Sequence, residues 1–343
     1  MSDSGGPVPT PTLPPLRWFG AADVRAAMPP IEERLRLAEI TMTALARPGA
    51  SQLPPKIAIH PRPAASFVHA MPAHLRAVDG GAGSDLVGMK WVAGYATNAG
   101  QGLPAISAIV ILNDAATGVP TAMLDGGPIT AERTAAVSGL ALRYFGPAPE
   151  TGLEVALIGS GVQGHSHVPV LAHVLPGLQL RLFDATHERA DALAAVARST
   201  EGVAGVTVHA SAREAVAGAR VVVTAASFGP KEASQAMTND WLHPEATVVP
   251  IDYATYCSAK VAEAAALFLV DQREQYLYNR ETGNFDGYPN PHATIGEAIL
   301  AGTRRPAGRV VLTHLGVGLA DLVFADAIVR AATAAGHGTI LER

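Results

Sequence analysis

Cysteine is almost missing from this sequence: Cys257 is the only one in 343 residues, so no disulfide can form within the chain and nothing calls for an oxidising compartment. A cytosolic protein is the expectation. Charge is scarce as well. Only 16% of residues are charged and the net charge is -5, which leaves no basic field to attract nucleic acid or anionic lipid, so neither partner is expected. No uninterrupted apolar run reaches membrane-spanning length. Residues 1–16 are rich in Pro, Gly and Ser and lack a basic segment followed by an apolar one, so they read as a flexible tail and not as a signal peptide. Metal-ligand spacing is missing too. His60, His69, His74, His165, His167, His173 and His292 join no carboxylate pattern, and His165-x-His167 at the start of a helix cannot face one point. No metal is expected.

What the chain does have is length enough for two domains of ordinary size, and one highly informative stretch. Leu153 to Ile158 reads as a buried strand that runs into Gly159-Ser160-Gly161-Val162-Gln163-Gly164. In this pattern the first glycine makes the tight turn, the second lets backbone approach a pyrophosphate, and the third lets the next helix pack on the strand. A helix starting near Val162 aims its free N–H groups and positive dipole end at the phosphates. A second strand, Leu178 to Phe183, ends at Asp184, where an acidic residue accepts hydrogen bonds from the adenine ribose. The alternative is an ordinary glycine turn.

Along the chain, Leu16 to Phe19 reads as a strand, and Ala21 to Met28 and Ile31 to Ala46 as helices, the second closed by Pro48-Gly49. Short strands follow at Lys56 to Ile59, Ser66 to Met71, Leu86 to Val92, Ala105 to Leu112 and Pro120 to Leu124, the last two as a hairpin. They suggest a mainly antiparallel mixed sheet backed by helices. Ile129 to Phe145 is a helix with Thr130 as its N-cap and Arg133 in its first turn, leading to a linker at Pro147 to Gly152. Beyond it, strands at Val155 to Ile158, Leu178 to Phe183, Val206 to His209, Val221 to Ala225, Thr247 to Ile251 and Leu267 to Val270 alternate with helical stretches, the pattern of a doubly wound parallel α/β sheet. Arg309 to Thr313 adds a strand. Leu319 to Ala335 is a long amphipathic helix expected to return to the first domain, giving a discontinuous domain of 17–146 and 317–343 around a dinucleotide domain of 147–316.

Three residues stand out chemically. Lys90 lies in an apolar strand, where an amine is costly unless it meets a counter-ion or a wet cleft; a sheet-edge lysine is the plainer alternative. Arg133, placed at a helix N-terminus, suggests a bound carboxylate or phosphate, against a surface salt bridge to Glu132 or Asp125. Asp252 follows the strand Thr247 to Ile251, at the sheet edge where open α/β sheets hold ligands, and either exchanges protons there or caps the next turn.

With these residues in place, the chain resembles the ornithine cyclodeaminase and mu-crystallin family, which includes archaeal-type alanine dehydrogenases and ketimine reductases. The matching motifs are Met71-Pro72-Ala73, Gly88-Met89-Lys90, Gly102-Leu103-Pro104, Leu124-Asp125-Gly126, Ala131-Glu132-Arg133-Thr134-Ala135-Ala136, the glycine turn, Gly296-Glu297, and Leu315-Gly316-Val317-Gly318-Leu319-Ala320-Asp321. The resemblance implies a homodimer with a Rossmann domain and a substrate domain. It implies hydride transfer between nicotinamide and the α-carbon of a small amino or imino carboxylic acid. Lys56, Lys90 and Arg133 would hold the carboxylate, Lys56 standing where the family usually has an arginine, and Asp252 would be the acid or base. NAD contacts are expected from Arg133, Thr134, Gly159, Gly161, Val162, Gln163, Gly164, Asp184, Ala225, Ser227 and His314. NAD is expected over NADP, because Asp184 and Glu188 repel a 2'-phosphate and Ala185-Thr186-His187 offers no arginine. Tyr253 to Lys260 departs from the family's Pro-Gly-Lys turn, 273–291 is longer and more aromatic, and His314 stands where serine is frequent. An NAD(H)-dependent dehydrogenase or imine reductase is the leading reading. The alternatives are a cyclodeaminase that uses NAD without net turnover and a dinucleotide-dependent binding protein without catalysis.

Overall fold

The computed structural model describes residues 12–61, 66–77, 84–227 and 234–343. Most of the expected tail, residues 1–11, lies outside them. Two sheets carry the fold. The first takes β1 (Leu16–Phe19), β2 (Ser51–Gln52), β3 (Ile57–Ile59), β4 (Ser66–Leu75), β5 (Leu86–Tyr95), β6 (Ile106–Asn113) and β7 (Pro120–Asp125), with helices α1 (Ala21–Ala26), α2 (Ile31–Ala46) and α3 (Gly126–Phe145) between or after them. Pairing along β4–β7 is antiparallel, β1 runs parallel to β7, and the late strand β16 (Thr339–Leu341) closes the edge beyond β1. In α2 the apolar residues recur at helical spacing, and Leu35, Ala38 and Met42 are buried as that spacing requires.

The expected cap of α3 is wrong. Asp125, not Thr130, is the N-cap and accepts from the Gly127 backbone, so the helix begins at Gly126 and takes Pro128 in its first turn, where a missing N–H costs nothing. Arg133 therefore sits about two turns inside the helix and the dipole does not explain its charge. A different partner must.

The second sheet is wholly parallel, in the order β10-β9-β8-β11-β12-β15-β13-β14. It comprises β8 (Glu154–Ile158), β9 (Leu178–Phe183), β10 (Val203–Val208), β11 (Val221–Thr224), β12 (Thr247–Pro250), β13 (Leu267–Val270), β14 (Ala293–Thr294) and β15 (Val310–Thr313). The helices α4 (Val162–Val174), α5 (His187–Arg198), α6 (Ala212–Val216), α7 (Ala259–Glu263), α8 (Arg273–Glu281) and α9 (Ile295–Leu300) connect it. This is the doubly wound sheet that the alternation predicts. The two-residue β14 and the short helices α6, α7 and α9 carry too few residues to show a period. Buried Val155, Leu157, Leu180 and Leu182 anchor the central strands, each contributing about 1.5–3 kcal/mol. Because every strand points the same way, Gly159, Asp184, Ala225, Asp252, Asp271 and His314 all follow carboxyl ends and share one edge.

The long helix α10 (Gly318–Ala334) starts at that edge and crosses the inner face of β4, β5 and β6. Its approach depends on two glycines. A Cβ on Gly318 would stand 2.5 Å from the Met71 carbonyl, and one on Gly88 3.1 Å from Leu322. No helix among the described residues is long and apolar enough to cross a membrane.

Candidate active site

Strand alternation in β5 turns Lys90 inward with Gly88 and Val92, beneath α10, and leaves it 1% exposed. Burying an amine there requires a counter-ion, and the first turn of α10 supplies it: Lys90 Nζ lies 2.7 Å from Asp321 Oδ2. Arg133 Nε donates to the other oxygen of the same carboxylate at 3.1 Å. The surface salt bridge holds with neither alternative, since Glu132 pairs with Arg34 and Asp125 caps α3. Its guanidinium packs flat on Gly316, whose φ of 78° and lack of a side chain make the contact possible; a Cβ there would fall 2.4 Å from Nη1.

Lys56 completes the group from the end of the first sheet. Its Nζ donates to the Leu315 carbonyl at 2.7 Å and stands 3.5 Å from the Tyr253 hydroxyl. The Leu315–Gly316 turn is fixed from below by Asp271, which follows β13 and accepts from both backbone N–H groups at 2.9 and 2.8 Å. Gln275 donates to the Gly316 carbonyl at 3.1 Å.

The charges do not balance without a further anion. Burial drives Lys90 down to about 7 and Lys56 to about 8, with Arg133 adding to the fall in each and Asp321 opposing it. Asp321 stays ionised: burial alone would raise it, but Arg133 and Lys90 hold it below the ordinary carboxylate range. Asp271 is raised by burial against the pull of Lys56. Buried Lys90 and Arg133 and half-buried Lys56 thus stand against two carboxylates, of which Asp321 is held ionised and Asp271 is pushed up by burial. A ligand carboxylate offsets the positive charge that remains.

Asp252 lies across the sheet edge from this group, 4% exposed at the end of β12. Thr224 Oγ1 donates to its Oδ1 at 2.8 Å and the Ala226 backbone to Oδ2 at 3.2 Å. Burial outweighs both bonds and raises its pKa to about 7, where it gains or loses a proton readily near neutrality. The next residue, Tyr253, adopts φ 59°, a strained backbone for an aromatic side chain, and stacks on buried Phe285 at 5.6 Å. The aromatic 273–291 segment therefore packs under the loop that departs from the family turn.

The glycine turn has the form a dinucleotide needs. Gly159 has φ 103° and approaches the Ala225 carbonyl so closely that a Cβ would meet it at 2.4 Å. Gly164 packs on the Gly159 carbonyl, where a Cβ would also fall at 2.4 Å. At Gly161, the N-cap of α4, a Cβ would meet nothing within 4 Å, so open space faces the helix N-terminus. Val162 beside it is exposed, and Gln163 continues the first turn. Asp184 receives the Ser160 and Thr186 backbone N–H groups at 2.7 and 2.8 Å, which fixes its carboxylate at the rim of the turn. Ser227 is exposed just past the end of β11. Thr134 is less available. Its hydroxyl donates back to the Thr130 carbonyl at 2.7 Å within α3.

Asp321, Asp271, Tyr253 and Gln275 were not assigned roles from sequence. Asp271 follows a parallel strand as Asp252 does and was accessible to the same rule. Asp321 sits inside a quoted motif, but on an otherwise apolar helix. His314 is 3% exposed and joined through Ser138 to His167, a contact among three elements that no sequence spacing announces.

A model of the ornithine cyclodeaminase/mu-crystallin family matches residues 23–328. The nodulation efficiency protein NfeD of Rhizobium meliloti is 30% identical over 335 residues, covering 96% of this chain and 99% of that protein. The ketimine reductase mu-crystallin of Rattus norvegicus is 29% identical over 271 residues, 76% of this chain and 79% of that one. The Thermococcus litoralis Δ1-pyrroline-2-carboxylate reductase, solved with NADH and L-proline, superposes with a TM-score of 0.80 at 21% identity, covering 95% of this chain and all of that one. With the family model spanning all but the chain ends, this protein belongs to the ornithine cyclodeaminase/mu-crystallin family.

Proposed function

We propose that this protein is an NAD(H)-dependent oxidoreductase acting on the C–N bond of a small amino or imino carboxylic acid. The observation that carries this reading is the excess of positive charge at buried Lys90 and Arg133 and half-buried Lys56, on the sheet edge that also carries the glycine turn and Asp252, whose pKa burial raises to about 7. When bound, the dinucleotide supplies a nicotinamide ring that accepts or gives a hydride at the substrate α-carbon. The three cations orient the carboxylate and so fix that carbon. Asp252 gives a proton to the imine side of the substrate in reduction and takes one from the amine in oxidation. Thr224 and the Ala226 backbone hold its two oxygens in place. The Gly159–Gly164 turn carries the pyrophosphate, with Asp184 on the adenine ribose, and Ala225 and Ser227 border the cofactor. Residues 147–316 form the cofactor domain and 17–146 with 317–343 the substrate domain.

The outer face of the first sheet supports a homodimer. Ile57, Ile59 and Trp91 are 63%, 56% and 44% exposed there, and an apolar sheet face of this kind is covered by a second copy in a symmetric pair. Incubation with NADH and cyclic imino acids, or with 2-oxo acids plus an amine, tests the reaction by loss of NADH absorbance. Conversion of a diamino acid with ammonia release and no net NADH change would instead identify a cyclodeaminase.

Cofactor choice follows from Asp184. A 2'-phosphate would meet this carboxylate with no arginine in Ala185-Thr186-His187 to receive it, so NADH is expected to bind at least tenfold more tightly than NADPH, on the order of 1.4 kcal/mol. Equal affinities in a fluorescence titration would remove Asp184 from the ribose site.

Substrate capture is expected to weaken as pH rises. Lys90 and Lys56 are ammonium ions below about 7 and about 8 and lose the proton above those values, while a bound carboxylate raises both. Binding in this range takes up protons. Calorimetry of a carboxylate ligand in buffers of different ionisation enthalpy measures that uptake, and a pH-independent affinity without it contradicts the charge assignment.

A further inference from the structure

Ser138 of α3 stands between two histidines, its Oγ 2.9 Å from His167 Nε2 and 2.9 Å from His314 Nε2. All three residues are at most 3% exposed. The remaining nitrogen of His167, Nδ1, lies 2.7 Å from the carbonyl oxygen of Gln163 in the first turn of α4. A carbonyl only accepts, so His167 Nδ1 carries a proton. Burial keeps the ring neutral by lowering its pKa to about 4, which leaves Nε2 as a bare acceptor. Ser138 must then donate its one proton to His167 and accept from His314 Nε2–H. His314 is also held neutral, its pKa well below the ordinary value through burial and through His167 and Arg133 nearby. Its Nδ1 is therefore a lone pair without a proton. That nitrogen is buried and has no hydrogen-bond partner among the described residues.

A buried acceptor without a donor costs about 1–3 kcal/mol, and a whole chain of bonds keeps this one in the accepting state. The polarity is set at the Gln163 carbonyl, beside the glycine turn, and read out at the carboxyl end of β15. His314 follows β15, Asp252 follows the neighbouring strand β12, and Arg133 is close enough to bias its protonation. The position thus lies between the phosphate-binding helix and the cluster of substrate-binding cations. In the proposed function, the nicotinamide ring is placed between those two groups.

We infer that His314 Nδ1 accepts a hydrogen bond from the carboxamide N–H of the nicotinamide, and that Ser138 and His167 are positioning residues that fix its tautomer. The inference rests on the NAD(H) reading above. It gives the His314 side chain a task that serine cannot copy in the same way, because a hydroxyl rotates between donor and acceptor while this imidazole is locked as an acceptor. The ring then discriminates the amide end of the carboxamide from its oxygen and selects which face of the nicotinamide is turned to the substrate.

The test is a binding cycle with NADH and reduced 3-acetylpyridine adenine dinucleotide, in which a methyl ketone replaces the amide and removes the N–H donor. The wild type is expected to prefer NADH by about three- to tenfold, and His314→Leu to bind the two within about twofold of each other. Ser138→Ala keeps the His314 ring but frees its tautomer, and is expected to reduce the preference without abolishing NADH binding. A ligand-free readout covers the chance that a variant misfolds: in the wild type labelled with 15N-histidine, His314 Nδ1 resonates as an unprotonated nitrogen and shifts upfield on adding NADH. A protonated Nδ1, or a preference unchanged in both variants, overturns the assignment of His314. Failure of the wild type to bind NADH at all overturns the cofactor reading on which it rests. A preference lost with His314 but restored by removing a ribose hydroxyl instead of the amide would place the donor on the ribose and equally overturn the carboxamide assignment.

Discussion

Asp252→Asn slows turnover by on the order of 10² to 10⁴ while NADH affinity and melting temperature stay close to wild type. The size follows from the role. Asn fills the same space and keeps hydrogen bonds to the Thr224 hydroxyl or the Ala226 amide, but it neither gives nor takes a proton at neutral pH. The wild-type pH profile has a defined sign. Asp252 is protonated below about 7, so imine reduction, which needs the acid, falls as pH rises through that value, and amine oxidation, which needs the base, rises. Both limbs vanish in the Asn variant. If Asp252 only capped its turn, the pattern reverses: the melting temperature drops and the folded enzyme turns over at the wild-type rate.

Asp321→Asn produces the largest loss of stability, on the order of 3–5 kcal/mol. Asp321 is fully buried and is the common counter-ion of Lys90 and Arg133, which are themselves 1% and 5% exposed. Removing its charge leaves two cations in a dry interior without a partner, which costs more than the pair contributes when intact. Lys90 then loses its proton at neutral pH, and carboxylate capture falls with it. Lys90→Met behaves differently. It keeps the Arg133–Asp321 pair, so the stability loss is smaller while the affinity for a carboxylate substrate still falls. Thermal unfolding of the two variants side by side separates these cases, and an Asp321→Asn variant that melts with the wild type would show that Asp321 is not the ionised centre of the cluster.

The parts of this site that were legible in the sequence are those governed by local rules. Strand alternation turns Lys90 inward, and the glycine turn and Asp184 follow a strand-turn-helix pattern with fixed spacing. Asp252 was singled out because the carboxyl end of a parallel strand is itself an address. Arg133 was singled out on a helix boundary that the structure moves. A helix starting at Ile129 puts Arg133 in its first turn, whereas Asp125 caps a helix that begins at Gly126 and carries Arg133 into the interior. The counter-ion that explains Arg133 comes from α10, 188 residues further along the chain, and reaches it only because Gly318 lets that helix touch the Met71 backbone. The Ser138–His167–His314 chain lay further out of reach, since its logic depends on which nitrogen faces a carbonyl. Such information is three-dimensional, and no residue period encodes it.

Isotopic labelling follows the proposed hydride to the α-carbon of the amino or imino acid. With NADH deuterated on one face of C4 and a turning-over imino acid, the amino acid product is expected to carry one deuterium at the α-carbon from one labelled face, and none from the other. A product without deuterium from either face, formed at the normal rate, would contradict it.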